Sequence, residues 1–523
     1  MNKVLKGLVA VAATAAMAVA GFAGASTAMA ADPTGGIQVA DGDTHTYSVY
    51  QILTGTYGAN GALGNVQAGT DFKVTNAAGD QGKDLTAAEA AEKLAKIGST
   101  ESDQTKLAEI LKFANLTTQY GSDLTASAPL TKVPAGYYLA KDKDDTVTGD
   151  DAQTLYIVKV VGNSAVTITR KVDKPTFQKK VKDVNDSTGD KSDWQDSADY
   201  DVNDKVPFQL TATLPTKEND FAAYKTYKLV FTDNQSVGLT YPEASGFIVK
   251  YEETVVPASQ YTLTLNPTTT TADSTFTLTI NDVKSLRDAD GSDIAVAAGG
   301  KFTVEYESTL NNKAVIGHEG NPNEAKLQYS NNPNYTGEGT NSPTGETPKD
   351  KVIVFTYQLN VNKTFDQGTP ADNDLPKFKL YKKYFKAADS YEWKQVGEEI
   401  EVTKTGDGAD AKYTASFQRI DDGDYKLVES HTPAGYNTAA DKTFTITADH
   451  VVSSENPTLT SLKIDQTDGD TTNGTVQADV VNKKGSNLPS TGGMGTVMLY
   501  VAGIAVFVLA GATLVMALRR RNA

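Results

Sequence analysis

Residues 357–365 read YQLNVNKTF and have the strict alternation of a β-strand. The even positions are polar, and the odd face carries Tyr357, Leu359, Val361, Lys363 and Phe365. Period-two alternation predicts a half-buried strand, so the side chain of Lys363 is expected to point into a core. Burial of an unpaired ammonium is costly and lowers the pKa of the lysine. Because a neutral, desolvated amine is a nucleophile, Lys363 is a candidate reactive residue.

The same alternation recurs along most of the chain and predicts an all-β fold. Stretches rich in Thr, Val and Tyr include HTYSVYQIL (45–53), TLYIVKVV (154–161), VPFQLTATLP (206–215) and KFTVEYEST (301–309). Regular strands with polar turns favour tandem Ig-like β-sandwiches. One insertion differs, because Thr86 and Glu89 have the spacing of a capping box. Apolar residues then follow at helical intervals and predict two short helices, through Ala90, Leu94 and Ile97, and through Leu107, Ile110 and Leu111.

Composition excludes several classes of function. The chain has 49 Lys+Arg against 65 Asp+Glu, a formal charge of −16, and no Cys. This acidic balance argues against a nucleic-acid partner, because phosphate binding needs a basic surface. Without Cys the chain can form no thiolate metal site, thiol nucleophile or disulfide. The chain has four histidines, His45, His318, His431 and His450, and they lack the close spacing of metal ligands. We therefore expect no metal, no cofactor and no turnover enzyme.

Two further polar residues interrupt apolar strand faces in the same third of the chain. Glu429 falls on the apolar face of YKLVE (425–429), and Asn482 falls on that of VQADVVN (476–482). A buried, protonated carboxyl can polarise the amide carbonyl of an asparagine. The neutral amine of Lys363 could then attack, ammonia would leave, and a Lys–Asn amide would remain. The alternative is an edge-strand lysine whose amine reaches water.

Both ends of the chain have the composition of targeting segments. Residues 1–30 combine two early lysines, an apolar stretch and a final AMA, which predicts a secretory signal peptide cleaved between Ala30 and Ala31. The alternative is an uncleaved membrane anchor. Near the other end, 497–518 is an uncharged apolar run long enough to cross a bilayer. Three arginines follow it and favour a cytoplasmic tail, 519–523.

Just before the apolar run stands LPSTG, formed by Leu488, Pro489, Ser490, Thr491 and Gly492. The order of LPSTG, apolar run and arginine cluster resembles the cell-wall sorting signal of Gram-positive surface proteins. The resemblance implies that a sortase cuts between Thr491 and Gly492. It also implies a secreted chain that becomes attached to peptidoglycan and is displayed at the cell surface.

The last module resembles a CnaB-type domain of sortase-assembled pilins. YKLVESHTPAGY (425–436) is similar to the E-box of that family, and LNVNKTF (359–365) is similar to its first strand. The stretch VVNKKGSNLPSTG, from residue 480, is similar to its terminal strand. The resemblance implies an isopeptide bond from Lys363 to Asn482, with Glu429 as the assisting acid.

The middle module resembles the CnaA-like domain of backbone pilins. The similar stretches are KPTFQKKV (174–181), FTDNQSVGLTY (231–241) and EGNPNEAKLQYSNNP (319–333). Lys179 and Asn331 lie in phase with apolar residues of their strands. The resemblance therefore implies an isopeptide bond from Lys179 to Asn331, with Asp233 as the assisting acid. Asp233 could instead be an ordinary turn acid, and Asp204 is then the alternative. No internal cross-link is expected in the first module.

A lysine at the junction of the first two modules is the candidate for joining subunits. VTITRK (166–171) resembles the pilin motif in part, with Thr169 and Arg170 in place of its Tyr-Pro. This places the polymerising lysine at Lys171, and Lys174 is the alternative. The resemblance implies a major pilin, whose identical subunits a pilus-specific class C sortase joins head to tail from Thr491 to Lys171.

The resemblance also implies further partners and an order of domains. The partners are a housekeeping sortase, minor or tip pilins and peptidoglycan, whereas no host receptor is indicated. The alternative is a monomeric LPXTG-anchored adhesin, and an anchored hydrolase lacks the residues that it would need. We expect a signal peptide (1–30), an N-terminal pilin domain (31–171), a CnaA-like domain (172–348), a CnaB-like domain (349–485), the sorting motif (488–492), a transmembrane segment (497–518) and the tail (519–523).

Overall fold

The computed structural model describes residues 34–485, without 58–62, 74–84, 98–100, 102, 148–150, 171–172, 267–272, 336, 338 and 389, and also residues 510 and 513. The prediction of an all-β fold is confirmed, because strands dominate and the helices are few and short. Within this described part, no helix combines the length and the apolar character needed to cross a membrane. The predicted features that lie outside it are Ala30 and Ala31, Lys171, the motif 488–492 with Thr491, and the run 497–518 apart from residues 510 and 513.

The chain divides into two compact units. Unit 1 comprises Met1–Val184, Lys191–Thr356 and Asp449–Thr460. Unit 2 comprises Asn185–Asp190, Tyr357–Ala448 and Ser461–Ala523. Each unit therefore includes a short segment that is remote in sequence from the rest of it.

The first part of unit 1 forms two small sheets and two helices. Its strands are β1 (Gly35–Val39), β2 (Tyr47–Tyr57), β3 (Leu63–Ala68), β4 (Leu130–Val133), β5 (Gly136–Asp142), β6 (Ile157–Val161) and β7 (Ala165–Ile168). They are ordered β4-β1-β7 and β3-β2-β5-β6. The helices are α1 (Ala87–Ala95) and α2 (Asp103–Ile110). The predicted capping box is present, since Thr86 and Glu89 each accept a backbone N–H from the other.

The second part of unit 1 forms two larger sheets around one apolar core. Its strands are β8 (Thr176–Val181), β9 (Ser197–Asp199), β10 (Lys205–Thr213), β11 (Leu229–Gln235), β12 (Leu239–Thr240), β13 (Ile248–Tyr251), β14 (Thr254–Val255), β15 (Thr262–Asn266), β16 (Ser274–Ile280), β17 (Lys301–Leu310), β18 (Asn321–Ser330), β19 (Thr344–Glu346) and β20 (Asp350–Phe355). One sheet is ordered β14-β13-β17-β10-β8, with β12 paired to β17. The other is ordered β15-β16-β11-β18-β20-β9, with β19 paired to β18. A third helix, α3 (Glu218–Ala222), follows β10.

Strand β20 corrects one expected border. Residues 349–355 were expected in the last module, but β20 pairs with β18 and, in parallel, with β9 inside unit 1. Its residues Val352 and Val354 are fully buried in the core of unit 1. The strand that opens unit 2 begins only at Tyr357.

Unit 2 is built around two neighbouring parallel strands that stand at opposite ends of its sequence. Its strands are β21 (Tyr357–Phe365), β22 (Lys377–Ala387), β23 (Ser390–Glu401), β24 (Thr403–Thr405), β25 (Lys412–Ile420), β26 (Gly423–His431), β27 (Lys442–His450), β28 (Leu459–Ile464), β29 (Thr467–Asp468) and β30 (Thr475–Asn482). The sheets are ordered β24-β25-β21-β30 and β23-β22-β26-β27-β28-β29. The last residues of β27 and the first of β28 belong to unit 1.

Candidate sites for intramolecular cross-links

The parallel pairing of β21 with β30 brings Lys363 and Asn482 to neighbouring positions. Lys363 is paired with Val480, and Asn482 lies two residues further along β30, on the same face. The inward face predicted for Lys363 is observed, since its exposed fraction is 1%. Asn482 is fully buried, and Glu429, on β26 of the facing sheet, is 7% exposed. The structure therefore brings all three predicted residues of this module into one buried site.

The polar atoms of this site are only partly satisfied. The Asn482 Nδ2 donates to Glu429 Oε2 at 2.8 Å and to the carbonyl of Asn437 at 2.7 Å. The Lys363 Nζ donates to the carbonyls of Thr364 at 3.1 Å and Val480 at 3.4 Å. Within the described part of the chain, neither Glu429 Oε1 nor Asn482 Oδ1 has a hydrogen-bond partner. Two orphan acceptors in one dry site are costly unless a proton is shared between them.

Burial makes the amine of Lys363 a better nucleophile. Desolvation lowers the pKa of Lys363 to about 8, although the negative charge of Glu429 acts in the opposite direction. With that pKa, roughly one amine in ten is neutral at pH 7, far more than for an exposed lysine. The amine also lies 4.7 Å from the centre of the Phe365 ring, which shields it from water. Amine, acid and amide thus form the set that amide exchange requires.

In unit 1, Lys179 reaches from one sheet into the other. Both Lys179 on β8 and Asp233 on β11 are fully buried and form an ion pair. The Tyr306 hydroxyl accepts from Lys179 Nζ at 3.0 Å and donates to Asp233 Oδ1 at 3.0 Å. The Tyr241 hydroxyl donates to the same carboxylate oxygen at 2.7 Å. Complete burial lowers the pKa of Lys179, and the charge of Asp233 opposes that shift.

The asparagine of this cluster is Asn323 and not Asn331, which the resemblance implied as the acceptor. The Asn323 Nδ2 donates to the Tyr306 hydroxyl at 2.9 Å, so that one hydroxyl bridges the lysine amine and the asparagine amide. Asn323 is fully buried, and its Oδ1 has no hydrogen-bond partner among the described residues. The sequence contained a signal for it, because Asn323 shares its strand face with Ala325, Leu327 and Tyr329.

Asn331, the predicted acceptor, lies elsewhere. It follows the end of β18, eight positions beyond Asn323, which corresponds to about 26 Å along an extended strand. Its backbone N–H donates to the carbonyl of Pro343 at 3.1 Å, just before β19. Strand phase gave the correct face, but phase repeats at every second residue and does not fix the position along the strand.

The alternative residues of the middle module lie outside this cluster. Asp204 stands in the turn before β10, where its carboxylate accepts the N–H of Asp201 at 3.1 Å. Lys180 forms an ion pair with Asp196, on the opposite face of β8. The acid next to Lys179 is therefore Asp233, as the sequence predicted.

A buried polar network lies just before the candidate junction lysine. Arg170 forms an ion pair with Asp151, whose carboxylate also lies 3.0 Å from His45 Nε2. The other ring nitrogen, Nδ1, is 2.7 Å from Asp142. Lys171 itself lies outside the described residues, and Lys174 is exposed. The network therefore anchors the residue that precedes Lys171.

The charge of His45 is expected to contribute more to the stability of unit 1 at pH 5.5 than at pH 8.5. Burial alone would lower the pKa of His45, but the hydrogen bonds and charges of Asp142 and Asp151 outweigh it, and the pKa is raised. A raised folded-state pKa gives stability that is complete below the unfolded pKa of about 6.5 and disappears as pH rises through the folded value. The free-energy difference between wild type and His45→Gln, from urea unfolding, should therefore be larger at pH 5.5 than at pH 8.5.

The control for this measurement is His431→Gln. His431 also lies near an aspartate, Asp374, but its side chain is 45% exposed and belongs to unit 2. It should leave the pH dependence of unit 1 unchanged. Equal free-energy differences at both pH values for His45→Gln would show that His45 does not titrate with folding.

Two family models match the chain. The description "Gram-positive pilin backbone subunit 2, Cna-B-like domain" matches residues 202–333. The description "SpaA, prealbumin-like fold domain" matches residues 358–458. The middle segment is thus described as Cna-B-like, where we expected a CnaA-like domain. Alternating strands occur in both kinds of domain, so alternation alone did not separate them.

One curated relative and one solved structure show the same likeness. The trypsin-resistant surface T6 protein of Streptococcus pyogenes serotype M6 is 29% identical over 280 residues, which are 42% of this chain and 48% of the relative. The chain therefore spans about half the length of this relative. The solved T6 backbone pilin of serotype M6 Streptococcus pyogenes is 16% identical and shares the fold, with a TM-score of 0.51 over 88% of this chain and 100% of that one. The chain thus carries, in tandem, a Cna-B-like domain of Gram-positive pilin backbone subunits and a SpaA-type prealbumin-like domain.

Proposed function

We propose that this chain is the structural backbone subunit of a surface pilus and that internal amide bonds stiffen it. One observation carries the proposal: Lys363, Glu429 and Asn482 share a buried site between neighbouring first and last strands. Two of these residues, Lys363 and Glu429, fall inside the segment that matches the SpaA prealbumin-like domain. The matched family models describe structural pilin domains and not enzymes.

In unit 2 the proposed reaction joins Lys363 to Asn482. Glu429 takes the proton of the Lys363 ammonium, and the neutral Nζ then attacks Asn482 Cγ while the carboxyl group donates a hydrogen bond to the amide oxygen. The C–N bond to Nδ2 breaks, the proton lost by Nζ passes through Glu429 to that nitrogen, and ammonia leaves. The products are one secondary amide and one ammonia, so each site reacts once and does not turn over. Electrostatic stabilisation of the developing oxyanion in a dry site is the main contribution of the acid.

In unit 1 we propose the same exchange between Lys179 and Asn323. Asp233 takes the proton of the lysine ammonium, with which it is already paired, and leaves the amine free to attack. The hydroxyl of Tyr306 contacts amine, acid and amide and is a positioning residue for all three. Asp233, which also accepts from Tyr241, is held against rotation by both tyrosines.

The choice between Asn323 and Asn331 can be tested by intact mass. We expect Asn323→Ala to retain the Lys179 amine and hence to lose one ammonia fewer than wild type. Asn331→Ala is the matched control, since it removes an equivalent amide outside the cluster, and it should lose as much ammonia as wild type. The reverse pattern would restore the assignment to Asn331, and mass spectrometry of the tryptic cross-linked peptides would identify the pair.

Polymerisation is the further part of the proposal. A pilus-specific class C sortase would cut after Thr491 and hold the chain as an acyl-enzyme, and the amine of Lys171 in the next identical subunit would resolve it. A housekeeping sortase would transfer the finished fibre to peptidoglycan, with minor or tip pilins as the other components. Such a fibre would be secreted and displayed at the cell surface, where it could support adhesion.

An immunoblot of wall extracts separates this proposal from a monomeric anchored adhesin. Covalent subunits survive boiling in detergent, so a backbone pilin should give a ladder of regularly spaced bands. Removal of the pilus-specific sortase should reduce the ladder to one band, because a housekeeping sortase still anchors single chains. A single band in the parent strain would favour the monomeric adhesin.

A further inference from the structure

Outside the two cross-link sites, three metal-ligating side chains converge within unit 1. Asp183 stands two residues after β8, Asp199 ends β9, and His450 ends β27. Each offers one ligand atom, and the three atoms lie within 4.8 Å of one another. They come from three segments that are remote in sequence, which explains why the spacing of the histidines gave no sign of them.

The hydrogen bonds of Ser197 fix the orientation of the His450 ring. The hydroxyl of Ser197 donates its single proton to the carbonyl of Val451 at 2.8 Å. The same oxygen lies 2.7 Å from His450 Nδ1, so while the hydroxyl proton is on the Val451 carbonyl, Nδ1 is the donor to Ser197. In the neutral ring the lone pair is then on Nε2. A histidine that donates through one nitrogen and presents the other to a site has the arrangement typical of a metal ligand.

The Nε2 atom of His450 faces the two carboxylates at ion-pair distance. Its Nε2 is 3.7 Å from Asp199 Oδ1 and 3.8 Å from Asp183 Oδ2. These separations exceed hydrogen-bond range. They agree with two ligands on one cation, because bonds of about 2.0–2.2 Å place neighbouring ligand atoms roughly 3–4 Å apart.

Asp199 gives an independent sign of an absent partner. The residue is 3% exposed, and its Oδ2 has no hydrogen-bond partner within the described part of the chain. A buried carboxylate oxygen without a donor is costly unless a cation or a proton occupies the space before it. The side chain of Asp183, in contrast, is 25% exposed and provides a route from solvent to the site.

We propose that Asp183, Asp199 and His450 bind a divalent first-row transition-metal ion, with water completing the coordination. One imidazole and two carboxylates suit Zn²⁺ or Mn²⁺ better than Ca²⁺, which takes six to eight oxygen ligands. The ion would join the segment Asp449–Thr460 to β9 and to the end of β8 within unit 1. This proposal replaces the expectation, drawn from sequence spacing, that the chain holds no metal.

Metal binding can be measured directly on the full-length chain in mild detergent. The protein should carry no purification tag and should first be treated with chelating resin. In calorimetric titrations with Zn²⁺ and with Mn²⁺ we expect one ion per chain, and saturation should raise the melting temperature. We expect His450→Gln and Asp199→Asn each to weaken binding at least fifty-fold. His431→Gln and Asp374→Asn are the matched controls, from the other His–Asp pair, and should bind as wild type does.

A second measurement avoids variants that fail to fold. Anomalous diffraction at the zinc edge from crystals of the wild-type protein soaked in Zn²⁺ should show a peak between His450 Nε2 and the two carboxylates. The proposal is overturned if neither ion binds below millimolar concentration, if binding survives in His450→Gln, or if the anomalous peak lies elsewhere. Any of these results would indicate that a proton occupies the site, with a charged imidazolium between the two carboxylates.

Discussion

Glu429→Gln should produce a chain that is heavier than wild type by one ammonia, after allowance for the substitution, and much less stable in unit 2. The variant keeps nearly the same shape but has no carboxyl to donate to the amide oxygen and to carry the proton to the leaving nitrogen. Lys363 and Asn482 should then remain separate. They lie 119 positions apart, and in the chain-entropy treatment of cross-links a loop of this length is worth about 4–5 kcal/mol. Intact mass and urea unfolding of residues 31–485 measure both effects.

Two variants separate loss of the bond from loss of the acid. Lys363→Met removes the nucleophile without leaving a buried charge, and it should also retain one ammonia. Glu398→Ala removes an exposed glutamate from the same unit and should change neither the mass deficit nor the unfolding curve. If Glu429→Gln loses as many ammonias as wild type, Glu429 does not assist the reaction. Wild type itself is expected to lose two, one for each site.

Lys171→Ala should reduce a boiling-resistant ladder to a single band. A sortase acyl-enzyme can be resolved only by an amine that it can reach. Lys179 and Lys363 are 0% and 1% exposed, and the cross-links would consume their amines. Among the other lysines, the partial resemblance of VTITRK to the pilin motif selects Lys171, at the junction of the first two modules. An immunoblot of wall extracts from a strain carrying the substitution gives the answer.

The control for this experiment is Lys174→Ala. Lys174 is exposed and lies three residues further along the same junction, so it is the nearest equivalent amine. It should leave the ladder intact. If only Lys174→Ala loses the ladder, polymerisation is assigned to Lys174. If both variants keep the ladder, both lysines are excluded. The Lys171→Ala monomer should still lose two ammonias, because the internal bonds do not depend on the sortase.

The positions of the two proposed bonds predict different responses to force. In unit 2 both partners lie near the C-terminal ends of parallel strands, so tension that enters at Tyr357 would cross at Lys363 and leave at Asn482. The residues between them would carry no load. In unit 1 the proposed acceptor, Asn323, is followed by the rest of β18 and by β20, which would remain in the load path. We therefore expect the segment after Asn323 to extend before the residues between Lys363 and Asn482 in unit 2, an order that single-molecule force spectroscopy would measure.

Strand alternation indicated the candidate residues of unit 2, and the resemblance to pilin domains grouped them into one predicted site. Lys363, Glu429 and Asn482 each interrupt an apolar face, and a polar residue on a face that must be buried indicates a core partner. Lys363, Glu429 and Asn482 each lie among the last three residues of their strands, β21, β26 and β30, so their positions along the strands agree as well as their faces. In unit 1, Asn323 and Asn331 are eight residues apart, which is four repeats of the two-residue strand period, and alternation could not choose between them. The register of β18 against β11, which places Asn323 opposite Gln235, made that choice.

The sequence by itself determined the all-β class and the inward faces of Lys179 and Lys363, because a period of two residues is a local property of an extended chain. Only the tertiary structure decided that Tyr306 bridges Lys179 and Asn323, that β20 belongs to unit 1, and that Asp183, Asp199 and His450 meet. These outcomes depend on which strands become neighbours and in which register. That is fixed by the joint packing of both sheets around one core and not by any single segment.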